Sequence, residues 1–164
     1  MKASDVIVTA LSGTQQLLNM YLDDLSDADL LVRPAPAANH IAWQLGPLVA
    51  AEVLLAQPQF PDVEYPALSP GFMTQYGKEG ASDDDRFHFL GKKEYLDMFK
   101  DVRELTKTKA AKLADADLDR PTKGDMAKFA PTLGALLLAL SNHTLMHAGQ
   151  FTALRRKIGK PILF

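Results

Sequence analysis

Two histidines near the end of the chain have a spacing that could support chemistry. His143 and His147 are four residues apart, so on a helix they share one face and lie about one turn, roughly 6 Å, from each other. Two imidazoles placed in this way can bind one metal ion, and in the absence of thiolates they suit zinc, nickel, iron or copper. The alternative is a pair of neutral core histidines hydrogen-bonded through Ser141, Asn142 or Thr144. Spacing alone leaves both interpretations open.

The composition narrows the kinds of site that this chain could hold. It has no cysteine, which excludes disulfides, thiolate nucleophiles and cysteine metal sites, so any metal must be bound by nitrogen and oxygen. The sequence also lacks the HExxH pattern that supplies a glutamate base in one class of zinc proteases. With 18 Lys and Arg against 20 Asp and Glu, the formal net charge is −2. Because no broad cationic field exists, we expect no nucleic-acid partner.

Length and hydropathy predict a single soluble domain. A chain of 164 residues matches one domain, which we place at residues 1–164. The opening segment, MKASDVIVTALSG, does not have the pattern of a secretory signal, which favours a cytoplasmic location. The longest apolar run covers residues 133–140, whereas a membrane span needs roughly 18 to 20 residues. We therefore expect no membrane partner.

Apolar residues at spacings of three and four predict four helices, at residues 4–25, 38–56, 92–114 and 132–157. The second is apolar on most sides and contains Pro47, which should kink it or force it to restart. Four such stripes predict an all-α fold, a four-helix bundle. His143 and His147 share their face with Leu140 and Leu154, so both rings should point into the bundle.

Two further features organise the chain between these helices. Residues 57–91 are rich in Pro and Gly, which predicts a long crossover without long regular elements and suggests a lid. The stretches LSDADLLVRP (25–34) and LADADLDRP (113–121) resemble each other, and each lies between two predicted helices. They indicate two helical hairpins related by a pseudo-twofold axis and joined by the crossover, although a chance similarity is the alternative.

The segments RPAPAANHIAWQLGPL and HTLMHAGQFTALRR, together with the four helices and the long crossover, resemble the DinB/YfiT-like superfamily over nearly the whole chain. The resemblance implies a four-helix bundle with up-down-down-up topology, and members that are metal-dependent enzymes. It also implies three histidine ligands to a divalent ion, one from helix two and two from helix four. The two from helix four match His143 and His147.

The helix-two ligand of this family follows a Leu-Gly pair, and here Pro47 occupies that position. Proline has no ligating atom, so the three-histidine site is incomplete unless another residue contributes. His40 is the first candidate, although a regular helix puts it about 10 Å away along the axis. Gln44 lies one turn nearer with a weaker amide oxygen, and His88 is the only other histidine.

The resemblance implies a divalent-metal-dependent enzyme of the hydrolase or low-molecular-weight thiol transferase type, since characterised relatives use thiols such as bacillithiol or mycothiol. The ion would be zinc, nickel, iron or manganese, the ligands His143, His147 and His40, and the substrate a small molecule. The alternative is a degenerate, non-catalytic bundle without a tightly bound metal, which binds a small apolar ligand or a protein partner. The resemblance also predicts a homodimer.

Overall fold

A computed structural model describes residues 1–163, so the last residue of the predicted domain, 164, lies outside the described residues. The fold is all-α, as the sequence predicts, and within residues 1–163 the named elements are helices only. The α-helices of that range cover Ala3–Leu22 (α1), Asp27–Leu30 (α2), Ile41–Ala56 (α3), Pro70–Gln75 (α4), Lys92–Ala110 (α5), Asp115–Leu118 (α6) and Leu133–Lys157 (α7).

The four long helices α1, α3, α5 and α7 confirm the four predicted segments and form the bundle. Each buries an apolar stripe, and together the stripes make one continuous core. The long helix α3 runs through Pro47 without interruption, so the proline neither ends nor restarts it. None of the helices in residues 1–163 combines the length and apolar character that crossing a bilayer requires.

Hydrogen bonds between α1 and α7 show that these two helices are parallel. The hydroxyl of Ser141 donates to the carbonyl oxygen of Ala10 at 3.0 Å. Arg155, near the end of α7, donates to the carbonyl oxygen of Tyr21, near the end of α1, at 2.9 Å. The contacts therefore run from earlier to later residues in both helices, which makes α1 and α7 parallel.

The helix α5 is antiparallel to α1. The ammonium group of Lys92, at the start of α5, donates to the carbonyl oxygen of Leu22 at the end of α1 at 3.0 Å. Further along α5, Arg103 donates to the carbonyl oxygen of Leu11 at 3.3 Å.

The helix α3 packs on α5 and α7. Gln44, near the start of α3, contacts His147 in the second half of α7. Glu52, two turns later in α3, is paired with Arg103, which also donates to Thr144, a residue earlier in α7 than His147. The order of these contacts makes α3 antiparallel to α7. The four directions together give the up-down-down-up topology that the family resemblance implies.

The crossover, residues 57–91, contains only short helical turns, as predicted, and packs onto α3. The ring of Tyr76 lies directly on Gly46, where an added Cβ would come within 2.0 Å of the ring carbons. The hydroxyls of Tyr76 and Tyr95 are 2.5 Å apart, and the indole of Trp43 donates to the carbonyl oxygen of Gly77 at 3.2 Å. The missing side chain of Gly46 therefore allows the crossover to dock beside Pro47.

The two similar stretches of sequence adopt the same local structure. Each forms a four-residue helix with the sequence DADL, α2 and α6. In α2, Ser26 accepts a hydrogen bond from the amide of Asp29, and the Asp29 carboxylate accepts one from the amide of Ser26, which is a capping box. In α6, the Asp117 carboxylate accepts from the amide of Ala114 in the same way. The sequence similarity thus corresponds to a repeated turn between long helices.

Candidate functional site

The structure brings His143 and His147 together inside the bundle. Their Nε2 atoms are 3.1 Å apart, and the two rings meet edge to face with their centroids 4.7 Å apart. His147 is buried and His143 is half-buried. The two rings lie together because residues four apart share one face of α7. The first turn of α7 is capped by the hydroxyl of Thr132.

Gln44 joins this pair from the facing helix α3. Its Oε1 lies 2.9 Å from Nδ1 of His147, and its Nε2 donates to the carbonyl oxygen of Asn39 at 2.8 Å. The Gln44 side chain is buried, and both ends of its amide have protein partners. Gln44, considered from the sequence as a weaker replacement ligand, lies instead against the far nitrogen of His147.

Burial determines the charge of the two histidines. Burial, reinforced by the neighbouring His143, lowers the pKa of His147 to about 4. Burial also lowers the pKa of His143, and the positive charge of Arg103 lowers it further. Both imidazoles are therefore neutral at pH 7, which is the state in which imidazole binds a metal ion.

His40 does not join the pair, because it caps the helix α3. Its Nδ1 accepts a hydrogen bond from the amide of Trp43 at 3.0 Å, and its Nε2 lies 2.9 Å from the carbonyl oxygen of Asp83 in the crossover. Both ring nitrogens are thus engaged, and the side chain is fully buried. Burial lowers its pKa, which keeps the ring neutral. In the structure this candidate ligand fixes the start of α3 instead.

His88 also lies apart from the pair, on the surface of the crossover. Its Nδ1 is 2.8 Å from a carboxylate oxygen of Asp83, which raises the pKa of His88. Within residues 1–163 the structure assembles no group of three or more His, Asp or Glu side chains that could hold a metal ion. Position 47, where the family resemblance implies the third ligand, is the proline inside α3.

The geometry of the pair itself fits two ligands of one ion. Two nitrogens that bind the same tetrahedral ion at 2.0–2.1 Å stand about 3.3 Å apart. The Nε2 atoms of His143 and His147 are 3.1 Å apart, which is close to this separation. The third position of a family-type site has no protein ligand, so the residues that are present fit an ion held by two histidines and not by three.

A buried ion pair lies beside the histidines, and sequence reasoning missed it. Arg103 contacts Glu52 at 3.1 Å and donates to the hydroxyl of Thr144 at 2.8 Å, with both charged side chains 1% exposed. Burial raises the pKa of Glu52. The sequence signal was present, because Arg103 follows Phe99 by four residues on the apolar stripe of α5. Of the two, Arg103 supplies the positive charge that lowers the pKa of His143.

Comparisons with known proteins identify the family. The family model of the DinB superfamily matches residues 10–151. A solved structure described as a conserved protein of locus from Enterococcus faecalis has the same fold, with a TM-score of 0.68 at 17% identity, covering 98% of this chain and 99% of that chain. No curated protein matches this sequence. The chain belongs to the DinB superfamily.

Proposed function

We propose that this protein binds a divalent ion, zinc, nickel, iron or manganese, through Nε2 of His143 and His147. The positions that the protein leaves open would take water or a substrate atom, so the activity would be that of a hydrolase or a low-molecular-weight thiol transferase. The observation that carries the proposal is the 3.1 Å separation of the two Nε2 atoms of neutral, inward-facing imidazoles. The matching family model supports it as well.

The chemistry proposed for the site follows from the ion and from the residues around it. A bound divalent ion lowers the pKa of a coordinated water or thiol and so provides a nucleophile at neutral pH. Both rings would be neutral imidazoles before the ion binds, because burial lowers the pKa of His143 and of His147 below 6.5. Burial of His147 limits the access of water from its side, so a substrate would approach past the half-buried His143.

A second candidate function is a bundle that binds no metal tightly. The observation in its favour is that Pro47 lies in α3 at the family's ligand position while both nitrogens of His40 are used by the cap and the crossover. A cavity of about 270 Å³ could then take a small, largely apolar ligand. Its apolar wall is formed by Ala28, Leu31, Ala42, Phe89 and Leu90, with Asp27, Arg86 and Gly91 completing the lining.

Metal content distinguishes the two functions. The protein is purified without an affinity tag or chelator, incubated with excess zinc, nickel, iron or manganese, freed of unbound ions and analysed by inductively coupled plasma mass spectrometry. The metal-site proposal predicts near one ion per chain, lost in His143→Ala and His147→Ala. The matched control is His88→Ala, which removes an exposed histidine outside the pair and should retain the ion.

The opposite result would exclude the proposal. Less than about a tenth of an ion per chain in the wild type after incubation with excess metal would mean that two histidines do not hold an ion at useful affinity. The second candidate would then be tested by screening small apolar ligands for an increase in melting temperature, since a ligand that binds only the folded state stabilises it.

A further inference from the structure

The orientation of the Gln44 amide is fixed by its two hydrogen-bond partners. An amide nitrogen only donates and an amide oxygen only accepts. The carbonyl oxygen of Asn39, 2.8 Å from Nε2 of Gln44, requires a donor, so the nitrogen must face Asn39. The oxygen of Gln44 therefore faces Nδ1 of His147 at 2.9 Å and can only accept from it.

The amide orientation determines which nitrogen of His147 carries the proton. Because Oε1 of Gln44 accepts, Nδ1 of His147 must be the donor. In a neutral imidazole the other nitrogen, Nε2, then has a free lone pair. That lone pair faces Nε2 of His143 at 3.1 Å, so in the metal-free protein His143 carries its proton on Nε2 and donates it to His147.

We propose that Gln44 is a positioning residue that fixes His147 in the Nδ1–H form, with the Nε2 lone pair presented to a divalent ion. Hydrogen bonds of this type to the far nitrogen of a ligating histidine set its ring orientation and raise its affinity for metal. The inference rests on the proposed function, because it assigns Gln44 a role towards the ion that His143 and His147 would share. A role as a direct ligand, considered from the sequence, is replaced by this one.

The start of α3 supports the position of Gln44. Asn39, whose carbonyl accepts from Gln44, immediately precedes His40, and the imidazole of His40 caps the helix through the amide of Trp43. Gln44 is thereby held at both ends of its amide by groups whose positions are set by folding. His40 contributes to the site through this cap, although it binds no ion itself.

The proton on His143 defines the proton balance of metal binding. Nε2 of His143 must lose its proton before it can bind an ion. Transfer of that proton to the Nδ1 of the same ring, by exchange with solvent, leaves His143 neutral and releases no net proton. Any proton released when the ion binds would therefore come from a water coordinated to the ion and not from His143.

The tautomer can be measured directly on metal-free protein. Long-range ¹H–¹⁵N correlation spectra of ¹⁵N-labelled protein at pH 7.5 distinguish a protonated from an unprotonated ring nitrogen. The inference predicts Nδ1–H for His147 and Nε2–H for His143 in the wild type. In Gln44→Leu, which removes the acceptor facing Nδ1, His147 should become a mixture of tautomers.

Gln59→Leu is the matched control for these spectra. Gln59 is also a buried glutamine, and both ends of its amide are hydrogen-bonded to backbone groups, of Leu55 and Lys123. Its loss should affect stability without changing the His147 tautomer. An Nε2–H signal for His147 in the wild type, which requires no variant, would overturn the inference, as would an unchanged Nδ1–H form in Gln44→Leu.

Zinc affinity, measured by competition with a chromogenic chelator, tests the consequence for the ion. Loss of such a hydrogen bond costs about 10- to 100-fold in metal affinity, so Gln44→Leu should weaken zinc binding by that factor and Gln59→Leu should not. Equal affinity in Gln44→Leu and wild type would overturn the positioning role. If the wild type binds no zinc, the proposed function fails, while the tautomer spectra still decide whether Gln44 sets the protonation of His147.

Discussion

Acidification should destabilise this protein through His147, and the size of the effect follows from its burial. The free histidine has a pKa of 6.5, and burial lowers the pKa of His147 to about 4. Above pH 6.5 the ring is neutral in the folded and unfolded states, so its contribution to stability is complete. Between pH 6.5 and about 4 the unfolded chain binds a proton that the folded chain does not, which favours unfolding.

This difference corresponds to about 3 kcal/mol of unfolding free energy, taken from the two pKa values of His147 at about 1.4 kcal/mol per pKa unit. The same direction holds for His143 and His40, whose pKa values burial also lowers. Below about pH 4, His147 is protonated in both states and adds no further loss. We therefore expect a steep decline in stability between pH 6.5 and 4.

The assay is urea unfolding of wild type and His147→Gln at pH values between 7.5 and 4. The variant should lose about 3 kcal/mol less than the wild type over this range, because it lacks the titrating ring. His88→Gln is the control with the opposite sign: Asp83 raises the pKa of His88, so its contribution is present at low pH and is lost as pH rises. Equal pH dependence in His147→Gln and wild type would refute the reasoning about a neutral, buried His147.

Three further predictions concern packing and assembly. Gly46→Ala should lower the free energy of unfolding by about 1–3 kcal/mol in urea titrations, since the new Cβ would overlap the ring of Tyr76; an unchanged midpoint would contradict this contact. Arg103→Met should cost about 3–5 kcal/mol by leaving Glu52 buried and unpaired, and the double variant Glu52→Met, Arg103→Met should recover most of it; a double variant as unstable as Arg103→Met alone would contradict this account. If the predicted homodimer forms through α7, Leu145→Glu should shift sedimentation to the monomer, because Leu145 is an exposed apolar side chain of that helix; a monomeric wild type would contradict the homodimer.

The helices and their arrangement could be predicted from the sequence because their signals are local and repeated. Apolar stripes three or four residues apart specify α1, α3, α5 and α7, and the Pro-rich crossover specifies where they are interrupted. The proximity of His143 and His147 could also be predicted locally, because a spacing of four residues places both rings on one face of a helix.

The rest of the site depends on contacts between distant residues, which no local pattern encodes. The partner of His147, Gln44, is 103 residues away in sequence, and the contact exists only because α3 and α7 are antiparallel. His40 caps α3 through the amide of Trp43, and its other ring nitrogen is engaged by the carbonyl oxygen of Asp83, 43 residues away in the crossover. The burial of Arg103 cannot be predicted locally, because charged side chains are seldom buried without a partner and its partner, Glu52, lies on another helix.

The central claim is that His143 and His147 hold one divalent ion, and anomalous diffraction from crystals grown with zinc tests it most directly. The account predicts one anomalous peak about 2.0–2.1 Å from the Nε2 atoms of both histidines, with Gln44 still hydrogen-bonded to Nδ1 of His147. Crystals grown with zinc that show no peak between the two rings, with the rings still hydrogen-bonded to each other, would contradict it.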